Sequence, residues 1–202
     1  MGDEVVLRTR ADGARELRVN GVFVMDDVET SSERLLAECV LELGARDVLV
    51  GGLGLGFTTR RLLESPDVHR VVVAELHPEV VAATPVDDAR CTVVTGDVCD
   101  VVEAQADASL DAVLLDVDNG PDFLVHESNA ALYESPFLRS CARVLRPDGT
   151  LAIWSMADSA PLRAALARDF ADVTTLEVPV RLQDRAESYV VLTARGILAD
   201  RG

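Results

Sequence analysis

The sequence predicts a doubly wound α/β fold, and three of its features indicate this class. Short apolar runs, typical of strands buried on both faces, alternate along the chain with segments of helical pattern. A glycine-rich turn joins one of these runs to a helix, as at the start of a nucleotide-binding βαβ unit. The last two runs have only residues 182–187 between them. Because this connection is too short for a parallel crossover, they are expected to pair as an antiparallel hairpin.

The apolar runs predict a seven-stranded, mostly parallel sheet that ends in this C-terminal antiparallel hairpin. Its strands are expected over residues 48–50, 68–75, 91–95, 111–115, 150–155, 173–181 and 188–194. Helices are expected over residues 58–64, 78–83, 98–104, 136–145 and 160–170. One more helix precedes the glycine turn and ends at Gly44. It starts at residues 30–33, whose order Thr, Ser, Ser, Glu matches a capping box.

The first 29 residues are predicted to form a small β-hairpin appendage. The pairs Asp12-Gly13 and Asn20-Gly21 are hairpin turn signals. The strands that they join are expected over residues 5–10, 16–19 and 22–25. The chain is therefore divided into an appendage, 1–29, and a doubly wound domain, 30–202.

Composition and charge limit the classes of partner. The 202 residues carry a net charge of −16, and all 19 basic residues are arginine. The absence of lysine excludes a Schiff-base lysine and a P-loop lysine. The acidic balance argues against nucleic acid and is compatible with a cationic substrate.

The sequence predicts no membrane segment and no metal site. No run approaches the roughly 18 apolar residues of a membrane span, and the start of the chain does not resemble a signal peptide. The four cysteines lack CxxC spacing and the histidines are not clustered, so neither zinc nor a disulfide framework is expected. We therefore expect a cytoplasmic protein.

The glycine turn is the strongest indication of a ligand site. Gly51, Gly52, Gly54 and Gly56 follow the first strand of the sheet, where they let the backbone turn tightly and approach a ligand. Glu75 ends the next strand at the distance expected for an acid that binds ribose hydroxyls. These residues predict a nucleotide-like cofactor. The alternative is a strand-to-helix turn that binds nothing.

Further acids end the neighbouring strands. Asp97 follows the third strand of the sheet, and Asp116 and Asp118 follow the fourth. Two carboxylates at one strand end could repel each other, which would raise the pKa of one of them, and could together hold an ammonium group. The alternatives are a solvated carboxylate or a helix cap for Glu75 and Asp97, and an Asx-type turn for Asp116 and Asp118. His77 is interpreted as a surface loop residue.

Several segments taken together resemble a known family. They are residues 48–56, 73–76, 96–97, 114–121, 132–133 and 145–151. The chain resembles class I S-adenosylmethionine-dependent methyltransferases and, more narrowly, the spermidine synthase (polyamine aminopropyltransferase) branch of that Rossmann-like fold. The resemblance runs from about residue 17 to residue 195 and implies an S-adenosylmethionine-binding domain over 30–202.

The resemblance implies roles for the residues already singled out. The four glycines would cradle the methionine part of the cofactor, and Glu75 would bind the ribose hydroxyls. Asp97 and the Val98 backbone would meet the adenine amino group. Asp116 would face the transferred group and take a proton from an attacking amine. Asp118 is the second catalytic candidate.

The segment after the fourth strand is irregular, and this fold usually admits substrate there. Its candidate substrate-binding residues are His126, Glu127 and Tyr133. A helix-facing or solvated role is the alternative for all three. The acceptor would be a small molecule, and a homodimer is compatible with the resemblance.

Departures from the family pattern decide between activities. Aminopropyltransferases carry an Asp, which contacts the amino group of decarboxylated S-adenosylmethionine, where this chain has Gly54. The family's Tyr and His ahead of the central strand are also missing. We therefore expect S-adenosylmethionine-dependent transfer of a methyl or other alkyl group. The alternatives are a true aminopropyltransferase that uses decarboxylated S-adenosylmethionine, and a non-catalytic binding or scaffold protein with the same fold.

Overall fold

In a computed structural model, which describes residues 4–117, 119–124, 127–182 and 185–198, the chain forms two sheets. The N-terminal sheet is antiparallel and comprises β1 (Val5–Thr9), β2 (Arg15–Val19) and β3 (Val22–Asp26). The main sheet comprises β4 (Asp47–Gly51), β5 (Arg70–Glu75), β6 (Cys91–Thr95), β7 (Leu110–Leu115), β8 (Leu145–Ser155), β9 (Phe170–Leu182) and β10 (Arg185–Ile197).

The order of the main sheet is β6-β5-β4-β7-β8-β10-β9. Strands β4 to β8 pair in parallel, and β10 pairs antiparallel with both β8 and β9. The predicted α/β fold, with a mostly parallel sheet and a C-terminal antiparallel hairpin, is confirmed.

Helices cover both faces of the main sheet. They are α1 (Ser31–Leu41), α2 (Phe57–Leu63), α3 (Pro78–Ala83), α4 (Val98–Glu103), α5 (Ser135–Val144) and α6 (Ala160–Leu166), with a 3-10 helix over Glu127–Tyr133. Helices α1 to α3 contribute to one hydrophobic cluster and α4 to α6 to the other. In β4, Val48 and Val50 belong to the first cluster and Leu49 to the second, all 0% exposed. Burial on both faces explains why the strands are continuous apolar runs.

Two local predictions are wrong. Thr30 is the N-cap of α1 but makes no side-chain capping hydrogen bond. The Glu33 carboxylate is turned inward and accepts a hydrogen bond from the Ser32 hydroxyl at 2.7 Å, so it does not complete a capping box. The last helix ends at Leu166 rather than at 170, because Phe170 starts β9 and is only 1% exposed in the core.

The N-terminal sheet lies over one side of the main sheet. Asn20 and Gly21 both have positive φ (51° and 77°), as a tight hairpin turn requires, so the turn signal is confirmed. Leu17 of β2 is buried in the cluster that includes α1 to α3. The division of the chain into domains at residue 29 stays a prediction. No helix in the described part of the chain has the length and apolar character to span a bilayer.

Candidate functional site

A cleft opens at the carboxyl ends of β4, β5, β6 and β7. The chain leaves β4 toward β5 and β6 and then returns to β7 on the other side of β4, so the strand order reverses at this point. Such a switch point is the usual ligand site in doubly wound sheets. The cleft is lined by Leu17, Val19, Val24, Met25, Glu33, Gly52, Gly54, Ala74, Glu75, Leu76, His77, Val80, Gly96, Asp97, Val98, Asp116, Val117, Asn119, Asn129, Leu132 and Trp154.

Two of the four predicted glycines lie in the wall of the cleft. Gly52 has φ +90°, and a Cβ there would overlap the main-chain carbonyl oxygen of Asp116. Gly54 has φ +51° and also lines the cleft. Gly51 and Gly56 are buried, and neither lines the cleft. Gly56 is the N-cap of α2.

Glu75 is 6% exposed and is held at the base of the glycine turn. Its Oε2 accepts a hydrogen bond from the Leu53 N–H and its Oε1 from the His77 N–H, each at 2.9 Å. The His77 Nδ1 lies 3.3 Å from the same Oε1. Because a carboxylate oxygen has two acceptor lone pairs, Oε2 can accept one more hydrogen bond, and Oε1 can accept one only when the His77 Nδ1 does not donate to it. Glu75 therefore suits a diol in the cleft.

Asp97 and Val98 lie at the start of α4. Asp97 is the N-cap, and its Oδ1 accepts a hydrogen bond from the Cys99 N–H at 2.8 Å. This is the helix-cap alternative, and it occupies one of the two carboxylate oxygens. Asp97 also lines the cleft, so both roles can be held at once. Its role in cofactor binding stays a prediction.

Asp116 follows β7 and faces the cleft from the centre of the sheet. The Thr58 hydroxyl donates to its Oδ2 at 2.9 Å. Burial, and then the negative charge of Glu33, raises the pKa of Asp116 to about 7. A carboxyl group with an ordinary pKa is ionised at neutral pH, whereas a pKa near 7 allows the Asp116 carboxyl both to accept and to release a proton there. Asp116 is thus able to act in proton transfer near neutral pH.

Glu33 is a functional candidate that the sequence analysis missed. It is 8% exposed and lines the cleft together with Asp116. Burial, followed by the charges of Glu29 and Asp26, raises its pKa against the effect of the Ser32 hydrogen bond. The Thr58 hydroxyl, which donates to Asp116, also lies 3.3 Å from the Glu33 carbonyl oxygen, so α1 lies beside Asp116. The acid at position 33 is visible in the sequence, but the order of residues 30–33 also fits a capping box, which would give Glu33 a structural role.

Glu33→Gln tests whether burial and the neighbouring charges raise the pKa of Glu33. A raised folded-state pKa means that stability is fully present below the unfolded pKa and is lost as the pH rises through the folded pKa. Wild type should therefore lose stability as the pH rises through the raised folded-state pKa values of Glu33 and Asp116, the latter being about 7. We expect Glu33→Gln to gain thermal midpoint relative to wild type at pH 8, and much less at pH 5.

Glu42→Gln is the control for this comparison, because Glu42 is an exposed carboxylate at the end of the same helix. Its effect on the thermal midpoint should be small and similar at both pH values. An equal effect of Glu33→Gln at pH 5 and pH 8 would show that the folded protein does not raise the pKa of Glu33.

Neither of the predicted substrate-binding residues that the structure describes, Glu127 and Tyr133, lines the cleft. Glu127 is exposed and Tyr133 is buried in the core on the side of α4 to α6. Neither lines the cleft, whereas Asn129 and Leu132 of the same 3-10 helix do. Asp118 and His126 lie outside the described residues.

Trp154 forms another part of the wall. Its ring packs edge-on against Tyr189, with ring centroids 4.9 Å apart. Its indole Nε1 is buried and has no hydrogen-bond partner among the described residues. Over the same described residues, no group of three His, Cys, Asp or Glu side chains could hold a metal ion.

The doubly wound sheet and its cleft define the class of protein as one with the S-adenosylmethionine-dependent methyltransferase-like fold. Within this class, the chain belongs to the family described as the spermine/spermidine synthase domain, whose model matches residues 29–169. The predicted family resemblance is confirmed.

Relatives of two activities are similar to this chain. The polyamine aminopropyltransferase of Mycobacterium tuberculosis (strain CDC 1551 / Oshkosh) is 32% identical over 74% of the chain, and polyamine aminopropyltransferase 2 of Streptomyces coelicolor is 33% identical over 74%. Putrescine N-methyltransferase 1 of Nicotiana tabacum is 30% identical over 52% of the chain. The chain spans only 30%, 29% and 29% of the length of these three relatives, respectively.

Solved structures agree with the fold. A spermidine synthase in complex with the transition-state analogue AdoDATO matches with a TM-score of 0.81 at 16% identity, over 95% of this chain and 70% of that one. The spermidine synthase of Thermotoga maritima matches with a TM-score of 0.77 at 15% identity, over 95% and 69% of the two chains. At these identities the likeness concerns the fold alone.

Proposed function

We propose that this chain transfers an alkyl group from an S-adenosylmethionine-type donor to an amine of a small di- or polyamine. The observation that carries the proposal is the Asp116 carboxyl group, which faces the cleft at the sheet's switch point with a pKa raised to about 7. A carboxylate with a raised pKa is a stronger base than an ordinary one, and it stands where this fold places its ligands.

The wall of the cleft suits such a donor. The glycine turn leaves backbone rather than side chain at Gly52 and Gly54, and Glu75 keeps acceptor capacity for a diol. Asp97 has one carboxylate oxygen that is not engaged in capping α4. When bound, the donor would supply an electrophilic carbon beside its sulfonium and, as the C–S bond breaks, a neutral thioether as the leaving group. The protein's part is to hold the reacting groups in line and to exclude competing water.

The two acidic groups on α1 and after β7 suit the acceptor. An amine attacks in its neutral form, so an ammonium substrate must first lose a proton. Asp116 can take that proton, and Glu33 adds negative charge that attracts the cation. The Thr58 hydroxyl orients the Asp116 carboxylate toward this task.

Aminopropyl transfer is the first candidate for the reaction. The relatives named polyamine aminopropyltransferase match more of the chain than those named putrescine N-methyltransferase, 74% against 52%. This reverses the order expected from the sequence, where methyl or other alkyl transfer stood first. Methyl transfer remains the second candidate because Gly54 offers no carboxylate for a lone ammonium group on the donor.

Product analysis tests the proposal. The protein is incubated with putrescine and either S-adenosylmethionine or its decarboxylated form, and mass spectrometry identifies the added group. We expect an aminopropyl adduct with the decarboxylated donor. A methyl adduct with S-adenosylmethionine would instead establish the second candidate.

Glu75→Gln is the matched binding variant for this assay. The glutamine keeps one acceptor oxygen for the backbone of the turn but loses the negative charge that strengthens hydrogen bonds to a diol. A hydrogen bond to a charged group contributes roughly 1.5–3 kcal/mol. Calorimetry should show donor affinity at least tenfold weaker. Donor binding by wild type without turnover of any amine would favour the scaffold alternative, and no donor binding at all would contradict the proposal.

A further inference from the structure

Met25, near the end of β3, lies against the glycine turn of the main sheet. Its sulfur accepts a hydrogen bond from the Leu55 N–H at 3.2 Å. A Cβ placed on Gly54 would lie 2.5 Å from the same sulfur. Both Met25 and Gly54 line the cleft. The Met25 side chain therefore fills the space into which a side chain at residue 54 would project.

The thioether makes this part of the wall uncharged. A methionine sulfur is polarizable and a weak acceptor, and it carries no charge at any pH. The acids that line the cleft in the described part of the chain come from other elements, namely α1, β5, the start of α4 and the end of β7. A ligand end that rests on Met25 meets a surface that neither attracts an ammonium group by charge nor repels a carboxylate.

We propose that Met25 is a specificity-determining residue for the donor. The inference rests on the proposed function and on the family resemblance, which implies that the methionine part of the donor lies along the glycine turn. With an uncharged thioether there, the cleft admits a donor end that bears both carboxylate and ammonium as well as one that bears ammonium alone. A side chain from the N-terminal sheet thus sets the donor tolerance of a site built on the main sheet.

The test compares Met25→Glu with Met25→Gln, two variants of similar length that differ in charge. Calorimetry measures the affinities of wild type and both variants for S-adenosylhomocysteine and for its decarboxylated counterpart. We expect Met25→Gln to keep the wild-type ratio of the two affinities within a few-fold. Met25→Glu should shift the ratio at least tenfold toward the decarboxylated ligand, equivalent to about 1.4 kcal/mol.

A second set of variants tests the shared space without any ligand. Gly54→Asp introduces a Cβ into the Met25 sulfur, so it should lower the thermal midpoint. The double variant Met25→Ala/Gly54→Asp removes the obstacle and should recover part of that loss, since contacting residues couple. Strictly additive effects would show that the two side chains do not compete for one space, and would overturn the structural basis of the proposal.

The outcomes separate this inference from the proposed function. If wild type binds neither ligand, the proposed function fails and donor selection by Met25 fails with it. If wild type binds but the folded Met25→Glu and Met25→Gln variants show the same affinity ratio, only the role of Met25 is overturned. A shifted ratio in Met25→Glu supports both.

Discussion

Asp116→Asn is expected to abolish most turnover while the protein stays folded and binds its donor. A positioned general base typically contributes about 10²–10⁴-fold to the rate, and asparagine cannot take the proton. The asparagine side chain can still accept the Thr58 hydrogen bond through its oxygen. Steady-state kinetics and calorimetry on the same preparation measure the two effects. Donor affinity should change by no more than a few-fold.

The change in stability caused by Asp116→Asn should depend on pH in a defined direction. Because burial and Glu33 raise the pKa of Asp116 to about 7, its folded state prefers the neutral form. The stability linked to this group is complete below the unfolded pKa and is lost as the pH rises through about 7. Asparagine is neutral throughout, so the variant should gain thermal midpoint relative to wild type at pH 8 more than at pH 5.

Asp111→Asn is the control, because Asp111 is an acid near the amino end of the same strand. Despite its burial, the Asp47 N–H and the Arg146 guanidinium hold its pKa below the usual value, and it also accepts the Arg46 N–H. This variant should lose thermal stability and keep its turnover per folded molecule. If Asp116→Asn behaves like Asp111→Asn, the Asp116 carboxylate is a structural turn acid and the proposed mechanism loses its base.

The acids at the strand ends could be located from the sequence because all the strands of a parallel sheet end along the same edge. Once the runs before Glu75, Asp97 and Asp116 are assigned to one parallel sheet, their carboxyl ends must meet along one edge. The glycine turn follows from the same reasoning. The three acids and two of the four glycines, Gly52 and Gly54, do line one cleft in the structure. Their functional roles stay predictions.

Met25 and Glu33 could not be placed in this way. Whether either side chain points into the cleft depends on how the N-terminal sheet and α1 sit over the main sheet, which is long-range packing. Residues 30–33 fit a capping box just as well locally, and only the inward turn of Glu33 decides. Hydrogen bonds and burial, rather than residue order, identified both.

The 3-10 helix shows why the substrate-binding residues were hard to choose. Residues three apart lie above one another in a 3-10 helix, so Asn129 and Leu132 share the face that lines the cleft. Tyr133, one position further, belongs to the same hydrophobic cluster as Leu132 but does not line the cleft. The sequence predicted an irregular segment here, and without the helical period it gave no basis for choosing one face.

Gly52→Ala is expected to cause the largest loss of stability among these substitutions and to abolish donor binding. Its φ of +90° costs a residue with a Cβ roughly 1–2 kcal/mol. The new Cβ would also overlap the Asp116 carbonyl oxygen, so the turn and the end of β7 must move apart. The Gly52 N–H donates to the Ala74 carbonyl at 2.8 Å, and that bond would be strained as well. We expect destabilisation of about 3 kcal/mol, at the upper end of common single substitutions.

Gly44→Ala separates the cost of the positive φ from the cost of the steric overlap. Gly44 has a similar φ of +79°, but a Cβ there would meet nothing within 4 Å. Urea denaturation of the two variants should show a smaller loss for Gly44→Ala, and calorimetry should show its donor binding intact. The difference between them measures how tightly the glycine turn is held against the strand that carries Asp116. If both variants lose the same stability, the glycine turn can move away from β7 at no cost. The distance between the proposed donor and Asp116 would then have to be fixed by another part of the cleft.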